Sequence, residues 1–170
     1  MDGKTNDGRQ IMSKAFNVLF VSKENSSRSI IAEAVLRHWG KDRFRAFSAG
    51  LNPGGEVDPL AIEMLKSARL STEGLRSKSW QEFSVPGAPQ MDFVISVCDT
   101  PAAELKAFVP GRPILAHWTI TDPASAPDSA AKRKGACRRA FQELENRMRL
   151  FVLLRHEGSA PQPAAQVQAV

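Results

Sequence analysis

Eight consecutive residues carry the types and spacing that could do chemistry: Ser22, Lys23, Glu24, Asn25, Ser26, Ser27, Arg28 and Ser29, set between an apolar run and a helical pattern. The chemistry they suit is the holding of a tetrahedral oxyanion. A helix N-terminus presents unpaired N–H groups and a partial positive charge. Successive N–H groups in a tight loop make a nest for an anion. Arg28 adds a planar fork that matches two oxygens at once. Asn25 tolerates a left-handed backbone at the turn, and the small Ser26 and Ser27 let the main chain come close. An ordinary strand-to-helix turn capped by serine has the same ingredients, so the loop by itself leaves both readings open.

The elements that must position this loop follow from patterning. Phe16 to Val21 is a short apolar strand. After the loop, Ile31, Val35 and Trp39, with Ala32 and Leu36 beside them, recur at helical steps, and Gly40 ends the helix. Phe44 to Ser48 reads as a second strand closed by Ala49-Gly50. Asp58-Pro59 opens a second helix, with Asp58 as N-cap, Pro59 at its first position and Ile62, Leu65 and Leu70 on its apolar side. A short helix is expected over Lys78 to Phe83. Phe93 to Val97 and Pro113 to Ala116 are the remaining strands. Cys137, Phe141, Leu144, Met148, Phe151 and Leu154 form the docking stripe of a last helix. Strands alternating with helices predict an α/β fold, a doubly wound four-stranded parallel sheet with helices on both faces. Such sheets bind ligands beyond the carboxyl ends of their strands. One domain is expected over residues 16–156, with disordered tails at 1–15 and 157–170.

The loop and the motifs around it resemble the low-molecular-weight protein tyrosine phosphatases and the arsenate reductases built on the same fold. Ser22 to Ser29 is similar to that family's Cys-x5-Arg-Ser loop. Asn17-Val-Leu-Phe-Val before it, Ile31-Ala-Glu-Ala after it, Phe47-Ser-Ala-Gly-Leu-Asn-Pro53 and Val97-Cys98-Asp99 are similar as well. Ala116-His117-Trp118 with Asp122-Pro123-Ala124 looks closer to the arsenate reductase branch. The resemblance implies that Ser22 stands at the nucleophile position, that Arg28 and the loop N–H groups hold phosphate or arsenate, and that Asp122 acts as general acid. It further implies that Asn25 holds the loop shape and that Ser29 hydrogen-bonds the nucleophile. No metal or organic cofactor is implied.

Three departures bear on activity. A nest lowers a thiol from about 8.5 to roughly 3.5–7.5, whereas a serine hydroxyl starts far higher and needs an adjacent base. Lys23 and Glu24 do not supply one. Cys98 sits where the first cysteine of a reductase disulfide relay would be, but Leu105 and Lys106 stand where the next is expected, leaving Cys98 as a possible redox remnant. Tyrosine is absent and Ala124 follows Asp122-Pro123, which thins the aromatic rim that would stack on phosphotyrosine, leaving Trp118 or another aromatic to contribute. His117 precedes Trp118, where it either faces the cleft or serves as a hydrogen-bonded structural residue.

Composition excludes other classes. The apolar fraction is 42% and no run approaches the length of a membrane span. The first residues lack the apolar core of a secretory signal, so a cytoplasmic protein is the default. Two cysteines and three scattered histidines give neither a disulfide scaffold nor metal-ligand spacing. The net charge is +5, yet Ala130 to Arg155 carries eight Lys or Arg against two Glu, a local +6. Lys132, Arg133, Lys134, Arg138 and Arg139 spread around the helix, as on a solvated face. A basic helix can attract nucleic acid or an acidic partner, and a phosphoprotein or other acidic partner is expected before nucleic acid. The expected function is an oxyanion-binding member of the family impaired in turnover by Ser22. The alternatives are an active reductase or phosphatase whose cysteine has been substituted, and a partner- or nucleic-acid-binding protein using the basic helix.

Overall fold

Four parallel strands form a single sheet in the order β2-β1-β3-β4. They are β1 (Phe16–Ser22), β2 (Phe44–Gly50), β3 (Phe93–Ser96) and β4 (Ile114–His117). The computed structural model describes residues 14–100, 105, 109–126 and 129–154, so nearly all of both expected tails lies outside the described residues. The central strand β1 is buried from Asn17 to Ser22, and its alternate side chains feed two cores. Val18 and Phe20 join Phe93 and Ile95 on one face, while Leu19 and Val21 join Val94 on the other. This two-residue period is that of a strand covered on both sides.

The first face carries three helices, α1 (Arg28–Gly40), α2 (Pro59–Ser67) and α3 (Ala130–Leu154), which contribute Ile31, Val35, Leu65, Phe141, Leu144 and Met148 to its core. The second is covered by the 3-10 turn Trp80–Phe83 and by Leu105, which is helical. Helix α1 lies deep, with every residue from Arg28 to Leu36 buried.

Boundaries differ from the sequence reading in informative places. Gly40 is the last helical residue at φ −79°, and the left-handed residue is Lys41 at φ 45°. Glycine is required at 40 for space, because a Cβ there would lie 2.9 Å from Phe44 Cβ. The expected short helix over Lys78 to Phe83 is confined to the 3-10 turn Trp80–Phe83. In α2 the buried positions are Ala61 and Leu65; Ile62 is half-buried, and Leu70 is buried beyond the helix end. Leu154 is not on the docking stripe of α3. It is 79% exposed, and Val152 takes the inward position. Asp58 caps α2 as expected, its Oδ1 accepting from Leu60 N–H at 2.8 Å.

Candidate active site

The carboxyl ends of β1 and β2 meet in register at Ser22 and Gly50, and the loop 22–29 leaves from there. Gly50 decides how closely the loop can lie on the sheet. A Cβ at that position would fall 3.0 Å from both Asn25 Cβ and the Glu24 carbonyl carbon. Main-chain bonds fasten the loop further, from Leu51 N–H to Ser22 O at 3.0 Å, Asn52 N–H to Lys23 O at 2.7 Å and Asp58 N–H to Ser26 O at 2.9 Å. Asn25 is left-handed at φ 51°, and it is fully buried.

Lys23 and Glu24 are exposed. Ser27 stands at the N-cap of α1, but no side chain caps the helix, and the first intrahelical bond runs from Ile31 N–H to Ser27 O. The N–H groups of the first turn are therefore without a capping side chain, the condition under which a helix start attracts an anion. The Ser27 hydroxyl is buried with no hydrogen-bond partner among the described residues. A small cleft of about 30 Å³ opens here, lined by Ser22, Lys23, Glu24, Ser26, Ser27, Arg28 and Asp122.

Arg28 is held by the segment after β4. One guanidinium nitrogen donates to Ile120 O at 3.1 Å and the other to Asp122 Oδ2 at 2.7 Å. Asp122 divides its two oxygens: Oδ2 takes Arg28 and Oδ1 accepts from Ala124 N–H at 3.0 Å, capping the turn Pro123–Ser125. The arginine fork is thus occupied in part by a carboxylate.

Behind the loop runs a buried polar network. Ser22 Oγ and Ser29 Oγ are 2.7 Å apart, and Asn25 N–H donates to Ser22 Oγ at 3.1 Å. The Asn25 side chain donates to Ser29 Oγ at 2.8 Å and to Ser48 Oγ at 2.9 Å, while its carbonyl accepts from Lys78 N–H at 2.8 Å. Ser48 in turn donates to Glu33, which is paired with Lys78 Nζ at 3.3 Å and also bound by Arg37. Glu33 is 1% exposed and Lys78 is 8% exposed. Burial pushes the Lys78 ammonium below its ordinary range, with Glu33 opposing that shift.

The chain belongs to the low molecular weight phosphotyrosine protein phosphatase family. That family's model matches residues 17–157. An arsenate reductase of Halalkalibacterium halodurans is 28% identical over 138 residues, covering 79% of this chain and 93% of the relative. A solved arsenate reductase in a phosphate-binding state aligns with a TM-score of 0.65 at 23% identity, covering 82% of this chain and 98% of that one. The tyrosine phosphatase Wzb of Escherichia coli K30, solved with sulphate, aligns with a TM-score of 0.59 at 20% identity, covering 81% and 96%. These likenesses fit the four-stranded parallel sheet with its helices.

Within this family fold, Ser22, Arg28 and Asp122 come together, although Asp122 is 94 residues from Arg28 in sequence. Asn25 and Ser29, counted with the loop as oxyanion contacts, do not line the cleft; their side chains stand behind it and face the network. Cys98 is buried just past β3, near Ser96 Oγ, and is not among the cleft residues. His117 is exposed and bonded to Thr119 Oγ1 at 3.1 Å. Trp118 is not an aromatic rim. It packs against Phe20 and Phe151 at centroid distances of 6.1 and 6.0 Å. Glu33, Ser48 and Lys78 were missed as site residues. The signal was present for one of them, since Glu33 interrupts an otherwise apolar stretch of a helix buried on every side. No group of three or more His, Cys, Asp or Glu that could hold a metal occurs among the described residues, and no described helix is long and apolar enough to cross a membrane.

Proposed function

We propose that this protein binds a tetrahedral oxyanion, such as phosphate, arsenate or the phosphoryl group of a larger ligand, and does not turn it over by the family's thiolate chemistry. The observation that carries the reading is Arg28 beside an uncapped helix start in one cleft, where the buried hydroxyl of the lining residue Ser27 has no partner among the described residues. The relatives support the ligand class: one is described in a phosphate-binding state and another in complex with sulphate.

Attack on phosphorus or arsenic needs an ionised nucleophile or a base that takes its proton. A serine hydroxyl shifted by about five units, near the most that environment provides, would still be mostly protonated at neutral pH. Reductive chemistry also needs a thiol relay, and the two cysteines, Cys98 and Cys137, are both buried and neither lines the cleft. The basic residues Lys132, Arg133, Arg138 and Arg139 of α3 are exposed and make no ion pair among the described residues, as on a solvated face.

Calorimetric titration of phosphate and arsenate into the purified protein tests the proposal, with Arg28→Ala as control. Binding that is lost in the control, together with no hydrolysis of an aryl phosphate, is the expected result. An arylphosphatase activity abolished by Ser22→Ala would overturn the claim of no turnover. Absence of binding in the wild type would overturn the oxyanion site.

A further inference from the structure

We infer that Ser22 serves the cleft as a hydrogen-bond donor to the bound oxyanion, so that the nucleophile position has become a ligand. This rests on the oxyanion-binding reading above and assigns a role to one residue of that site. It follows from the direction of each hydrogen bond behind the loop. The Asn25 amide is fixed first. Its Oδ1 accepts from Lys78 N–H at 2.8 Å, which turns Nδ2 towards Ser29 and Ser48. An amide nitrogen can only donate. The fully buried Ser29 hydroxyl has two side-chain partners, Asn25 Nδ2 and Ser22 Oγ. Having accepted from Asn25, it satisfies its own proton by donating to Ser22. The opposite direction would leave a buried hydroxyl proton unpaired.

Ser22 Oγ therefore accepts from Ser29 O–H, and it also accepts from Asn25 N–H at 3.1 Å. Both lone pairs are engaged. The Ser22 proton has no acceptor among the described residues, and Ser22 is one of the walls of the cleft. An unprotonated oxygen of the ligand is the acceptor that completes the arrangement. The same geometry disfavours nucleophilic attack. A general base would have to take the Ser22 proton, and both groups touching its oxygen are donors. In a thiolate those two donors would stabilise the anion. In a serine they aim the proton outward.

Sulfate is the probe of choice because it remains a dianion across the working pH range, so any pH dependence belongs to the protein. Its affinity would be measured for wild type, Arg28→Ala, Ser22→Ala and Ser22→Cys. Loss of a hydrogen bond to a charged acceptor should weaken binding about tenfold or more in Ser22→Ala. The cysteine introduced by Ser22→Cys should ionise within roughly pH 3.5–7.5. Its sulfate affinity relative to wild type should then fall as pH rises through that range, because the proton is lost and a negative charge appears. Wild-type binding that requires Arg28 but is unchanged in Ser22→Ala would overturn this inference and leave the oxyanion site standing. A folded Ser22→Cys whose thiolate absorbance appears within that range while the affinity ratio stays flat would overturn it equally, and that arm decides the matter should Ser22→Ala fail to fold. No sulfate binding by wild type would overturn both.

Discussion

Asp122→Asn should tighten sulfate binding, because the carboxylate competes with the ligand for Arg28. Asp122 Oδ2 lies 2.7 Å from the arginine, whose side chain is 10% exposed against 39% for Asp122. A dianion placed on the same fork would sit within roughly 5 Å of that carboxylate. At water's dielectric such a pair repels by about 1.7 kcal/mol. Physiological salt roughly halves this, leaving about 0.9 kcal/mol, near a fivefold change in affinity. That figure is a lower bound, since the buried side of the pair is screened less than bulk. Displacing the existing ion pair adds up to about 1 kcal/mol. The expected gain is therefore about five- to thirtyfold. Asparagine is the right substitution because its carbonyl can still cap Ala124 N–H, as Asp122 Oδ1 does at 3.0 Å. The assay is calorimetric titration of sulfate at fixed ionic strength, with thermal melts to confirm that the cap and fold persist. Unchanged or weaker binding would refute the competition argument and would mean that Asp122 chiefly orients the arginine for its ligand. A general acid would give a different signature, a loss of turnover with no gain in affinity.

Other consequences follow from the loop's support. Gly50→Ala places a Cβ 3.0 Å from Asn25 Cβ and the Glu24 carbonyl carbon; overpacking of this kind costs about 1–3 kcal/mol, and sulfate affinity should fall at least tenfold by titration in a protein that still melts cooperatively. Lys78→Met leaves the 1%-exposed Glu33 with Arg37 as its remaining cation; denaturant unfolding should show a loss of about 3 kcal/mol, partly recovered by adding Glu33→Gln. Cys137 is buried, and burial pushes its thiol up to about 11 from an ordinary 9.0. Below pH 9 the thiol is neutral in both folded and unfolded chains and has no effect. Between pH 9 and 11 the unfolded chain loses the proton first, so stability falls with rising pH, by roughly 2 kcal/mol at the upper end. Cys137→Ala should remove that slope in unfolding curves taken across this window. Lys78, held low by burial, contributes the opposite slope in both proteins and cancels from the comparison.

The parts legible in sequence are those governed by local rules. The strand cores from Phe16 and Phe93, the Asp58-Pro59 helix start and the left-handed Asn25 each follow from neighbouring residues, and each is present. What sequence patterning could not deliver depends on contacts between distant segments. Arg28 and Asp122 were both named, but nothing in their surroundings told that they would bind each other rather than a ligand. Trp118 follows a strand that ends at the sheet's ligand edge, and whether it turns to the rim or to the core depends on the space beside Phe20 and Phe151, which local pattern does not encode. The Glu33–Lys78 pair joins residues 45 apart and reaches Ser22 through Ser48, Asn25 and Ser29. One part of it could nevertheless have been anticipated. A helix with apolar residues at Ile30, Ile31, Ala32, Ala34, Val35 and Leu36 has no outward face over that stretch, so Glu33 had to be buried. A buried carboxylate must find cations and donors. The search for them leads to Lys78 and Ser48, and from there to the hydrogen bonds that set the direction of the Ser22 proton.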